Sequence, residues 1–280
     1  MMARREIPPQ GRRYLGIDFS GASDAGRKIW IAEGRRPAGA AFHLDSLLPA
    51  CDLPGGAVAA APAMAALRAC ILAEPDTVAG CDFPFSLPAG VIDAARWVDF
   101  VREFPDRFPD PDAFRRWALK RAEGRELRRA ADVATKTPFN SYNLRIYRQT
   151  WWGIVGVLAP LLAARSIIVP PFQSAGQQAR PILLEACPAC ALKQIRLYPQ
   201  YKGRDAKHRA ARGKIVAGLI AGGWLAPVPR RIETVLLDNA GGDALDAVIA
   251  GLIAAYAEID LPAGGAAGIE GWIWGELPIA

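Results

Sequence analysis

The chain has 280 residues, 51% of them hydrophobic and 22% charged, with a net charge of +6. That apolar share builds a large globular core and excludes a disordered chain, while the longest apolar stretch, 151–164, is broken by Gly153, Gly156 and Pro160 and is too short to cross a bilayer. The polar, basic first residues lack the apolar run of a secretory signal, and five cysteines scattered through apolar surroundings form no disulfide framework, so a reducing cytoplasm is expected.

Periodicity then predicts the elements in order. Residues 14–19 are a short apolar run bounded by Arg13 and Ser20-Gly21, and 28–33 are a second, so SGASDAGR between them reads as a hairpin loop. A third strand is expected at 40–44. Residues 58–72 are rich in alanine, with Met64, Leu67 and Ile71 at helical spacing, and 77–82 return to a strand pattern. From 91 to 165 the chain reads as mostly helical, with breaks at 104–111 and 135–141. A last core strand is expected at 181–185 and long helices at 209–220 and 243–257. The closing EGWIWGELP either adds an edge strand or packs its tryptophans on the core. No internal repeat or low-complexity linker interrupts this pattern. The expected architecture is one α/β domain over 1–280, with a helical insertion at about 91–165 between two core strands.

Charge is concentrated. Residues 115–148 hold ten basic side chains against Glu123, Glu126 and Asp132, a local net of +7. A second basic run, YKGRDAKHRAARGK, carries Lys202, Arg204, Lys207, Arg209, Arg212 and Lys214 against Asp205. Two such segments point to an anionic partner such as nucleic acid or phosphate; two solvated helix faces are the plainer alternative.

Acidic residues mark the candidate site. Asp18 ends the first strand inside YLGIDFSGA, Asp82 ends a later one in GCDFPFSLP, and Asp243 and Asp246 open a helix in GGDALDAVIAG. Strand ends of α/β sheets aim side chains at the edge where ligands collect, and helix positions three apart share a face. Carboxylates gathered there repel one another unless a cation neutralises them, and hard oxygen ligands select Mg²⁺ or Mn²⁺, the ions of phosphodiester hydrolysis. Plainer roles exist for Asp243 as a first-turn acid or cap after Gly241-Gly242, for Asp246 as an exposed helix residue, and for Asp82 as a turn cap before Phe83-Pro84. Asp18 resists such a role, because a carboxylate inside an apolar strand is costly to bury without a partner.

Weaker signals complete the inventory. Cys187-Pro188-Ala189-Cys190 lacks a second pair or paired histidines for zinc, so structural thiols are expected. His208, in the basic run, is expected at the surface, and Trp151, Trp152, Trp272 and Trp274 are expected to pack rather than stack on bases. Ser20-Gly21 has the look of a phosphate-binding turn, although GxxxxGK[ST] is absent. The segment TPFNSYNLRIYRQTWW mixes Asn140, Asn143, Arg145, Tyr147 and Arg148 with aromatics; it is either a substrate wall or a polar loop capping the next helix.

YLGIDFSGA, GCDFPFSLP, LLEACPA with Glu185, YKGRDAKHR, GGDALDAVIAG and the terminal EGWIW together resemble the family called domain of unknown function 429, described as predicted nucleases of the ribonuclease H-like fold. The resemblance reaches both ends and is least visible at 91–135. It implies a mixed five-stranded sheet flanked by helices, with Asp18 bridging metal ions, Asp82 and Asp243 completing their coordination, and Asp246 as a further ligand. Glu185, at the end of a core strand, would ligate beside Asp82 or in its place. Lys202 and Arg204 would contact phosphate, with Ser20, Asn140 and Arg145 as further substrate contacts. The implied activity is a Mg²⁺- or Mn²⁺-dependent nuclease or phosphoesterase on RNA or DNA. Two alternatives are a nucleotide-binding phosphotransferase of the actin and sugar-kinase type, for which no duplicated core or glycine-rich adenosine loop is found, and a non-catalytic nucleic-acid-binding module.

Overall fold

A five-stranded sheet in the order β3-β2-β1-β4-β5 carries the chain in this computed structural model, which describes residues 11–174, 179–259 and 267–278. The reading of residues 1–10 as lacking a signal lies outside them. The first half runs β1 (Arg13–Asp18), a single helical turn α1 (Ala25–Lys28), β2 (Trp30–Arg35), β3 (His43–Pro49), α2 (Ala60–Leu72) and β4 (Val78–Asp82). An insertion follows: α3 (Trp97–Arg107), α4 (Pro111–Arg121), α5 (Ala130–Ala134), and α6 (Tyr147–Gly153), which passes through a π-helical turn (Ile154–Leu158) into α7 (Ala159–Ala163). The chain then forms β5 (Ile182–Glu185), α8 (Pro188–Gln194), α9 (Ala206–Ala221), α10 (Arg230–Asp238), α11 (Asp243–Tyr256) and α12 (Ala267–Glu270). Strands β1, β2 and β3 are antiparallel neighbours, and β4 and β5 run parallel to β1. No helix among the described residues is long and apolar enough to cross a membrane.

The α/β class and the mixed five-stranded sheet agree with expectation, and several boundaries move. The hairpin loop contains α1, so β2 starts after Lys28, and the third strand lies at His43–Pro49 rather than 40–44. Residues 104–107 stay helical, with Pro105 inside the last turns of α3. The break comes at 108–110, where the Asp110 side chain accepts the Ala113 N–H at 2.7 Å and Pro111 begins α4. At the other end, the tryptophan segment touches the sheet through a single parallel bridge between Trp274 and Ala186.

Strand alternation sorts the two faces. Leu15 and Ile17 of β1, Ala79 and Cys81 of β4 and Leu183 of β5 belong to the core shared with α2 and the insertion; Val78, Leu184 and Ala32 belong to the core shared with α8, α9 and α11. Gly16 and Gly80 are register partners across β1 and β4. A Cβ on Gly16 would overlap the Ala247 carbonyl oxygen and the Gly251 backbone, and one on Gly80 would overlap the Ala250 carbonyl oxygen. The paired glycines thus let α11 lie directly on the two strands. Gly16→Ala is therefore expected to cost about 1–3 kcal/mol or more by overpacking against helix backbone. Urea denaturation reads this loss, and an unchanged midpoint would mean that α11 shifts freely.

Candidate metal centre

Even-numbered positions of β1 and β4 face α11, and this parity carries Asp18 and Asp82 to that face at the strands' carboxyl ends. The two are register partners. Because α11 rests on Gly16 and Gly80, its first turn lies over the same ends and lowers Asp246 onto the pair. Ligand oxygens of Asp18, Asp82 and Asp246 all lie within 4.8 Å of one another. Asp18 is 8% exposed and Asp246 2%.

Both oxygens of Asp246 are held. Tyr201 donates its hydroxyl to Oδ1 at 2.6 Å, and Lys202 Nζ lies 2.6 Å from Oδ2. The loop carrying these two residues is clamped from below by buried Arg212 of α9. Its Nη1 donates to the carbonyls of Tyr201 (2.6 Å) and Gly203 (3.1 Å), and its Nε donates to Leu237 (2.8 Å). Such outer partners fix ligand orientation.

Charge in this space is out of balance. Burial, then the charges of Asp246, Asp82 and Asp243, pushes the Asp18 carboxyl well above its usual range, with Lys202 opposing. Burial and Asp246 push Asp82 up to about 7. Burial works against the Lys202 ammonium, but Asp246, Asp18 and Asp82 outweigh it and hold the proton more firmly. Burial and Asp246 raise Tyr201, which keeps it a donor.

A pH dependence follows with its sign. The folded, metal-free protein keeps a proton on Asp82 up to about pH 7, whereas the unfolded chain releases it near about pH 4. The stabilising contribution is therefore present at low pH and lost as pH rises through that window. A cation must displace the same proton, so divalent-metal affinity is expected to rise with pH up to about 7. Calorimetry at pH 6 in two buffers of different ionisation enthalpy should read proton release, and buffer-independent heats would contradict it.

Other acidic candidates fall outside the tight cluster. Asp243 begins α11 and is half-buried, with its carboxyl curled back against Gly241. It is near enough to raise Asp18, but the third cluster oxygen comes from Asp246, one turn further along where the helix touches the strands. Glu185 differs for a reason of parity. It pairs in register with Cys81, which puts it on the insertion face, opposite to Asp82. There its carboxylate accepts from Arg129 at 2.5 and 2.8 Å and from the Phe85 N–H at 2.8 Å. Arg129 is fully buried and also binds Asp132 at 2.9 and 3.1 Å, so Glu185 is engaged by a cation of the chain itself and lies outside the three-carboxylate cluster, while lining the same cavity.

A cavity of about 470 Å³ opens beside the cluster. Asp82, Asp246, Tyr201 and Lys202 line it on one side, and Phe139, Arg145 and Gln149 on the other, so the TPFNSYNLRIYRQTWW segment is its wall. Gln149 Nε2 donates to the Asp82 carbonyl, tying wall to strand. Arg145 sits over the Phe139 ring at 5.3 Å. Asn140 is buried and spent on the loop itself, donating to Glu126 and accepting from the Tyr142 N–H. Ser20 accepts the Ala22 N–H at 3.3 Å, and Arg204 is exposed two residues beyond Lys202.

Two further expectations are corrected. Cys187 and Cys190 are joined as a disulfide at the start of α8, not separate thiols. His208 is buried rather than at the surface, packed under Gly203 with both ring nitrogens lacking a hydrogen-bond partner among the described residues. Trp151 and Trp274 are buried as expected, while Trp272 is 40% exposed.

Sequence reading missed Tyr201, Arg129, Asp132 and Arg212. The signal for Tyr201 was its place beside Lys202; the arginines were hidden inside basic runs that look solvated.

A family model described as "Protein of unknown function (DUF429)" matches residues 16–267. No curated protein and no solved structure matches the chain.

Proposed function

The chain belongs to the family described as Protein of unknown function (DUF429), a description that names no chemistry, and from the site alone we propose a metal-dependent hydrolase of phosphodiester bonds in nucleic acid. One observation carries this reading. Three carboxylates, two buried and one half-buried, converge against one ammonium, a deficit of two positive charges that a single divalent cation would balance. The donor set is all hard oxygen, which fits Mg²⁺ or Mn²⁺. The strand order and directions, with three antiparallel strands followed by two parallel ones, agree with a ribonuclease H-like core.

Asp18, Asp82 and Asp246 would hold the cation. Bound there, it would supply an activated water and charge stabilisation at a phosphoryl oxygen. The remaining work belongs to the chain. Tyr201 and Arg212 keep Asp246 aimed at its neighbours. Lys202, with its side chain 55% exposed, presents a positive charge from the cluster to the cavity. Arg145 offers a guanidinium at the rim for a phosphate, and Phe139 and Tyr198 offer ring surface against a base.

The test is cleavage of labelled single-stranded and structured RNA and DNA with Mn²⁺ or Mg²⁺, comparing Asp246→Asn with Asp243→Asn. Asp246→Asn is expected to lower the rate more than about 100-fold, beyond the loss of an outer-shell partner, and Asp243→Asn to lower it by about tenfold or less. Equal losses in both variants, or metal-independent cleavage, would remove Asp246 from the centre.

A further inference from the structure

A second cavity, of about 500 Å³, lies on the insertion and shares no lining residue with the one beside the carboxylates. Arg96, at the start of α3, Arg102 within it, Arg165 just after α7 and Arg180 just before β5 all line it. Trp97 and Phe172 make a rigid floor, stacked with ring centroids 3.8 Å apart and planes 6° from parallel. None of its described lining residues is acidic.

Among the described residues, only one cation of this cavity meets an acidic side chain. Asp99 takes up Arg96 through two hydrogen bonds of 2.6 and 2.7 Å. Arg102 and Arg180 instead meet main-chain carbonyls, those of Leu162 at 3.5 Å and Arg165 at 3.2 Å. Such carbonyls orient a guanidinium without neutralising it. Arg180 Nε is also buried with no hydrogen-bond partner among the described residues. Arg96, Arg102 and Arg165 are exposed and Arg180 half-buried, so the guanidinium groups face the open cavity, and the one buried, unpaired nitrogen of Arg180 gives an anion a donor to satisfy. Guanidinium forks match the oxygens of phosphate two at a time, and stacked rings keep the pocket's shape whether it is filled or not.

We propose that this cavity is a phosphate-binding site separate from the metal centre, with Arg102 and Arg180 as its main donors and Arg165 contributing at the rim. The phosphate comes either from a nucleic-acid strand or from a free phosphorylated small molecule. Its volume admits a phosphate with part of the group that bears it.

Binding is tested on the full chain in EDTA, so that the metal centre plays no part, using inorganic phosphate by calorimetry and a fluorescein-labelled single-stranded DNA oligonucleotide by anisotropy. Arg102→Ala and Arg180→Ala are each expected to weaken phosphate binding about tenfold, the effect of losing a hydrogen bond to a charged group. Arg180→Gln, which keeps bulk and one amide donor, guards against a folding artefact and should show an intermediate loss with an unchanged melting temperature. A parallel loss of oligonucleotide affinity, with the salt dependence shallower by about 0.7 per contact removed, assigns the phosphate to a strand. Loss for inorganic phosphate alone assigns it to a free small molecule. No binding of either probe by the wild type, or equal binding by wild type and both alanine variants, overturns the proposal.

Discussion

Asp18→Asn is expected to raise the stability of the metal-free protein and, in the same molecule, to abolish its stabilisation by divalent metal. In the metal-free wild type Asp18 is buried facing two other carboxylates, and burial together with their charges works against its ionisation. Asparagine keeps the shape, removes one like charge and places an amide donor beside Asp82 and Asp246. The gain should be on the order of 0.5–2 kcal/mol, the range expected from relieving one unfavourable charge in a folded protein. Wild type should gain about 2.7 kcal/mol from Mn²⁺ at a hundred times its Kd, and the variant should lose most of that gain along with any cleavage. Paired urea titrations with and without Mn²⁺ read both effects. A variant less stable than wild type without metal would mean that Asp18 is a structural hydrogen-bonding group. A variant still stabilised by Mn²⁺ would place the cation elsewhere.

Arg129→Met is expected to be among the most destabilising single changes in the chain. The guanidinium is fully buried and satisfies Glu185 and Asp132 together, with a further contact of 3.4 Å to the Glu270 carbonyl at the end of α12. Methionine fills much of the space and leaves both carboxylates buried without their cation, a loss of about 3–5 kcal/mol. Glu185 is already raised by burial, with Arg129 acting against that shift. Without Arg129 its carboxyl rises further, so the folded variant holds a proton that the unfolded chain releases. The deficit should therefore grow as pH rises and be smaller at pH 5 than at pH 7.5. Urea denaturation at those two pH values measures it. A loss below about 1 kcal/mol at pH 7.5 would mean that water reaches the carboxylates and that the network is not closed.

Both variants turn on features that differ in how plainly the sequence carried them. Asp18 was legible because a charge inside LGIDFSG breaks a strongly apolar strand. Asp82 was legible less sharply, as a carboxylate at the end of VAGCD that a turn cap before Phe83-Pro84 would also explain. The pair Asp243 and Asp246 announced a site without saying which member completes it. That choice depended on where α11 makes contact, through Ala247, Ala250 and Gly251 on the paired glycines, and no local spacing encodes such a contact. Glu185 looked equivalent to Asp82, since each ends a parallel strand. Register decided otherwise: β5 pairs Glu185 with Cys81, and one step of strand parity sends it to the opposite face.

The basic runs show the same division. Composition located ten positive residues between 115 and 148 but gave no way to tell Arg129, buried against two acids, from Arg116 or Lys120 in solvent. Glu185, which meets Arg129, lies 56 residues away in the chain. By itself the sequence determined the elements, the α/β class and the strand ends where acids collect, because periodicity and apolar interruption are local properties of a chain. Tertiary structure alone decided which carboxylate joins which neighbour. Facing, register and helix seating are set by packing between distant segments, and a shift of one residue in a strand, or one turn in a helix, reassigns every partner.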